Sequence, residues 1–92
     1  MSGHVFHPGH PELHGVTVVV DTVGPKTYIG RFDRVENGGM QLLNVATHDP
    51  DAGTREEFVR RSLKFGVRLD LKHLVLPEAD VTGLVPLAEI GI

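Results

Sequence analysis

His4, His7, His10 and His14 stand three, three and four residues apart near the start of the chain. On a helix that spacing would form one face, but Pro8, Gly9 and Pro11 forbid a regular helix until at least Pro11. In a polyproline II conformation three residues make a turn, so His4, His7 and His10 would line one side of an extended segment. Neutral imidazoles so placed could share a Zn²⁺, Ni²⁺ or Cu²⁺ ion. The competing reading is a solvated tail, because a flexible run of histidines loses affinity to the entropy of ordering.

A second group is cationic. Arg55, Arg60, Arg61, Lys64 and Arg68 supply five of the nine basic residues within fourteen positions. On a projecting hairpin they could contact a nucleic-acid backbone or an acidic partner. Against this stands a solvated face balanced by Glu56, Glu57 and Asp70. A third group, Asp33, Glu36, Asp49 and Asp51, is of carboxylates that could do acid–base work or hold Mg²⁺ or Ca²⁺. These sit in turn-forming sequence, where Asp and Asn bond their own backbone. No serine elbow, P-loop or dinucleotide-binding glycine pattern is present, so a non-enzymatic protein is expected.

Composition narrows the classes further. The 92 residues contain no cysteine, which removes disulfides, thiol nucleophiles and thiolate metal sites. The formal net charge of −3 argues against general nucleic-acid binding but leaves room for a local basic patch. One Tyr, four Phe and no Trp offer few surfaces for base stacking. No apolar run approaches the roughly 18 residues that span a bilayer. The first fifteen residues lack the basic and apolar regions of a signal peptide, so a cytoplasmic location is the expectation.

Eleven Gly and six Pro suit a turn-rich β chain. Residues 1–14 read as an extended segment with at most one helical turn at Pro11 to His14. Val16 to Thr22 is rich in β-branched residues and predicts the first strand. Thr27 to Val35 predicts the second, with Gly30 mid-strand where a glycine marks a bulge, a bend or close backbone approach. Asn37-Gly38 is a strong hairpin signal, and Met40 to Thr47 follows as the third strand. Thr54-Arg55-Glu56-Glu57 fits a helical capping box. Yet Leu63, Phe65, Val67, Leu69 and Leu71 alternate strictly with polar residues or glycine, the pattern of a half-buried strand. We read a long strand returning from the turn at residues 48–53, in preference to a short helix followed by a strand. Leu74-Val75-Leu76 continues that strand or begins another. Pro77 to Asp80 is a tight turn, Val81 to Leu87 the last strand, and residues 88–92 a tail.

This order resembles the Sm-like family. Val16 to Val20 looks like its first strand, Gly30-Arg31-Phe32 like its Gly-x-hydrophobic, and Met40-Gln41-Leu42-Leu43 like its Met-Asn-Leu-x-Leu. Leu74-Val75-Leu76, a turn and Val81-Thr82-Gly83-Leu84 make a weaker second match. The resemblance implies an all-β, five-stranded, strongly bent SH3-like or Sm-like barrel over residues 15–87. It also implies a homo-oligomeric ring and RNA as ligand. Asn37 and Gln41 would then contact base edges, and Arg60, Arg61, Lys64 and Arg68 the phosphates. The departures lie in the RNA-reading loops. Gln41 stands where the family has Asn, and Pro77-Glu78-Ala79-Asp80 lacks the family's Arg-Gly. In such a ring Glu36, Glu78 and Asp80 would lie near the pore, where carboxylates repel a phosphate backbone. A structural or protein-interaction ring without RNA binding is therefore the rival expectation. Self-assembly has its own support. A small barrel cannot bury all of Leu69, Leu71, Leu74, Val75, Leu76, Val81, Leu84, Val85 and Leu87, and an exposed apolar edge calls for a partner.

Overall fold

The structure is a computed structural model that describes residues 11–90. Five strands form one antiparallel sheet: β1 (Thr17–Thr22), β2 (Thr27–Glu36), β3 (Gly39–His48), β4 (Leu71–Pro77) and β5 (Val81–Pro86). Among the described residues one α-helix, α1 (Arg55–Phe65), is present, lying between β3 and β4. The sheet order is β4-β3-β2-β1-β5, so β4 and β5 occupy its two edges. Only the 3₁₀ turn Glu78–Asp80 separates them in sequence. Four residue steps reach at most about 14 Å, so the sheet must curl until its edges approach at that corner. Among the described residues no ladder joins β4 to β5.

The curl is built from irregularities in the β2–β3 hairpin. Ile29 pairs with Ala46 and Arg31 with Leu43, which leaves one extra residue on β3 opposite Gly30. That residue is Asn44, whose φ of 54° is left-handed, a conformation asparagine tolerates better than most. Gly30 is buried, and a Cβ there would lie 2.9 Å from Cγ2 of Val45 and 3.3 Å from the Leu43 carbonyl oxygen. The mid-strand glycine thus marks both the bulge and the close approach. At the hairpin tip Asn37 and Gly38 have φ of 53° and 77°, the positive angles a two-residue turn requires.

Two cores result. On one face of the sheet Val18, Val20, Phe32, Met40, Leu42, Val45 and Leu76 pack together. On the other, Val19 and Ile29 pack with Val59 of α1 and with Leu87. Leu87–Glu89 form a closing 3₁₀ turn, and Ile90 packs against this second cluster. The unbroken valine run of β1 is explained by these two cores, since a strand covered on both faces needs no alternation.

Residues 54–65 correct the sequence reading. They are not a returning strand: the described residues form a mostly antiparallel five-stranded sheet, compatible with the all-β expectation, to which one helix is added. Thr54 and Glu57 close a reciprocal capping box, with Glu57 N–H donating to the Thr54 hydroxyl at 3.1 Å and Thr54 N–H to the Glu57 carboxylate at 3.0 Å. This satisfies amide groups that a helix start leaves unpaired. Phe58, Val59 and Ser62 then face the sheet. The alternating apolar residues that suggested a strand are largely exposed: Leu63 and Phe65 on α1, Leu69 in the connection, Leu71 at the start of β4. Gly66, with φ of 91°, ends the helix. The predicted single turn at Pro11 to His14 is present as the 3₁₀ turn Pro11–Leu13.

Replacing Gly30 by Ala forces a methyl group into a filled contact and should lower stability by about 1–3 kcal/mol. Urea denaturation compares the two proteins, and equal midpoints would show that β3 is free to retreat.

Candidate functional site

Helix α1 is fixed to the sheet by more than its apolar face. Arg55, its first residue, donates from Nε and Nη2 to the two oxygens of Asp21 on β1, both at 2.9 Å. The Thr27 hydroxyl donates to the same carboxylate at 2.9 Å. Asp21 sits where the β1–β5 register shifts, so one carboxylate joins β1, β2 and α1. Burial opposes its ionisation, but the hydrogen bonds from Arg55 and Thr27 outweigh that and hold its carboxyl below the usual range.

Beside this helix runs a groove of about 550 Å³ where α1 meets the end of β3. Arg60 and Arg61 line it from α1, and Arg68 from the connection to β4. Its apolar floor is Phe58, whose ring stacks on that of buried His48 at 4.9 Å between centroids and 22° between planes. A smaller hollow of about 230 Å³ shares Phe58, Arg61 and Arg68 and extends to Phe65. Arg68 is held in place by Asp70, through bonds of 2.9 and 3.1 Å. Asp70 also accepts the Thr47 N–H at 2.9 Å, and its carboxyl lies below the usual range because of Arg68 first and Thr47 second. Arg60 and Arg61 make no hydrogen bond or ion pair with a described residue.

Two carboxylates line the same groove, Asp49 and Glu57. Both are engaged locally. Asp49 accepts the Asp51 N–H at 3.0 Å, and Glu57 accepts Thr54 in the capping box. Glu57 is held below the usual range first by the Thr54 backbone N–H, then by its hydroxyl, with smaller contributions from Arg61 and Arg60.

The sequence-predicted residues fall at two places. Arg60, Arg61 and Arg68 converge on the groove. Lys64 stands one turn further along α1, with Nζ 5.3 Å from the centroid of the Phe65 ring. Asn37 and Gln41 lie at the opposite end of β3, at and beside the hairpin tip. Gln41 donates to Glu36 at 3.2 Å, and its other amide atom meets His73 at 3.3 Å. Glu78 N–H donates to the Gly38 carbonyl at 2.8 Å, which places the Glu78 turn against the hairpin tip. Asp80 is turned toward the β1–β2 connection, its carbonyl accepting the Val23 N–H. The residues expected to contact base edges and those expected to contact phosphates are thus not gathered at one site.

His48 and Phe58 in the groove, and Phe65 in the hollow beside it, were not singled out from the sequence as site residues. The capping box carried the signal, because a helix from Thr54 puts Phe58, Arg61 and Phe65 along one side at spacings of three and four. Of the proposed metal ligands, His14 bonds the Asp33 carbonyl through Nδ1 at 2.7 Å, while His4, His7 and His10 lie outside the described residues. Among the described residues no three metal-binding side chains come together, and no helix is long and apolar enough to cross a membrane. No family model and no curated protein matches the chain.

The Asp21–Arg55 link makes a pH-dependent prediction. A depressed folded-state pKa contributes stability above the unfolded value near 3.9 and loses it as pH falls through the folded value. Asp21→Asn should cost about 1 kcal/mol or less at neutral pH, since both partners are partly exposed. The difference from wild type should close in acid. Urea midpoints measured from neutral pH downward check this, and a gap that stays constant with pH would assign the effect to something other than the charge.

Proposed function

We propose that this chain is a non-catalytic, Sm-like binding module. In this reading the curled sheet closes as a small barrel, copies join edge to edge into a homo-oligomeric ring, and RNA is the ligand. The observation that carries the reading is the pair of unpartnered edges. Among the described residues β4 and β5 each pair with one strand only, so each presents a row of backbone N–H and C=O groups that no described strand pairs. Leu71 and Val75 on β4 and Val85 on β5 are exposed apolar residues on those same strands. Open apolar edges template the addition of another strand, and a ring in which β4 of one copy meets β5 of the next would use both edges. Leu76 and Leu87 find cover within the chain, so the demand for a partner rests on the exposed residues alone.

A second reading, a structural or protein-interaction ring, is favoured by the hairpin corner. Glu36 sits beside the hairpin tip, Glu78 in the turn bonded to it, and the Gln41 amide is already engaged. A corner rich in carboxylates disfavours phosphate.

Light scattering at micromolar concentration tests the assembly. The expected mass is a multiple of 10.0 kDa, and a single species at 10.0 kDa would overturn the reading. Val75→Lys should shift the mass toward the monomer while altering subunit stability by about 0.5 kcal/mol or less, because Val75 is half exposed.

A further inference from the structure

We propose that the groove between α1 and the end of β3, together with the smaller hollow beside it, binds single-stranded nucleic acid, with Arg60, Arg61 and Arg68 on phosphates and Phe65 in the hollow as a stacking platform for a base. This deepens the RNA reading and rests on it, but moves the base contact from the hairpin corner to the opposite end of β3.

Three observations carry the assignment. Three guanidinium groups face one groove, and the two carboxylates that share it are occupied by backbone N–H groups. Arg60 and Arg61 have no hydrogen-bond or ion-pair partner among the described residues, so their donors are available to an anion, while Asp70 presets the position of Arg68. Phe65 is 76% exposed, which leaves it little part in the core. It lies one helical turn from Arg61, about 6 Å between Cβ atoms, so one nucleotide can reach both.

Chemistry distinguishes this ligand from its rivals. An acidic peptide or a free phosphate would satisfy the arginines and leave Phe65 unused. A duplex keeps its bases stacked internally, so only a single strand can lay a base on an exposed ring. Lys64, whose Nζ lies over the Phe65 ring at 5.3 Å from its centroid, adds cation–π attraction from one face and leaves the other face for the base.

Fluorescence anisotropy with labelled oligo-uridine and oligo-deoxythymidine of about twelve nucleotides tests the proposal. Wild type should bind at least one of them saturably at about 0.15 M salt, and the tighter of the two identifies the sugar that is read. Arg60→Ala with Arg61→Ala should weaken binding at least tenfold or so and reduce the slope of log K against log salt by about 1.4, the value for two lost phosphate contacts on a single strand. Phe65→Ala should weaken binding by about five- to tenfold with the salt slope unchanged, because stacking releases no counterions. Asn37→Ala with Gln41→Ala should change affinity by less than about twofold, as expected of a distant site.

Equal affinity for a hairpin duplex or a polyglutamate peptide would overturn the proposal, as would unchanged binding by the double arginine variant. Loss of binding in the Asn37/Gln41 variant, with the arginine variant intact, would leave the RNA reading standing and remove the groove. Light scattering on each variant keeps the assembly question separate from the ligand question.

Discussion

Val18, Val19 and Val20 are consecutive and all buried, and most of the architecture follows from that. Adjacent strand residues point to opposite faces, so a strand buried at three successive positions must be covered on both sides. One side is met by folding the sheet upon itself around Phe32, Met40 and Leu42. The other needs an element outside the sheet, and α1 with Leu87 supplies it. The helix is therefore a condition for burying Val19 and Ile29, not an ornament on the β3–β4 connection.

That requirement places the cationic residues. Turning Val59 and Ser62 toward the sheet directs Arg60, Arg61 and Lys64 outward or along the seam. The Arg55–Asp21 contact prevents the first turn of α1 from sliding over β1. At the far end, Asp70 ties Arg68 to the Thr47 backbone and closes the seam on the β3 side. The groove is the space left where a helix packed for one purpose meets a strand end packed for another.

The meander was legible because its signals are local. Gly30 and Asn37-Gly38 announce their backbone needs in their own identities, and the valines of β1 have little other use. The helix was obscured by a coincidence of periods. Leu63, Phe65, Val67, Leu69 and Leu71 alternate as a strand would, but their burial depends on neighbours that the sequence does not name, and most of them are exposed. The capping box was the better guide because its two residues satisfy each other without tertiary help. The arginine cluster could be seen as a cluster. Its union with His48 and Phe58 could not, since His48 closes β3 and Phe58 lies near the start of a helix whose existence was in question.

The pairing of β1 with β5 has a kinetic side. Val18 lies opposite Pro86, so the first strand of the sheet finds its second neighbour only in the last. The loop that this ladder closes encloses nearly every other element, and such non-local contacts slow folding because their entropy is lost before they are rewarded. During synthesis β2, β3 and α1 can all emerge while one side of β1 still waits. Until β5 is available the edge of β1 that it will pair stays open, and α1 can cover the side chain of Val19 on the sheet face but cannot pair its backbone.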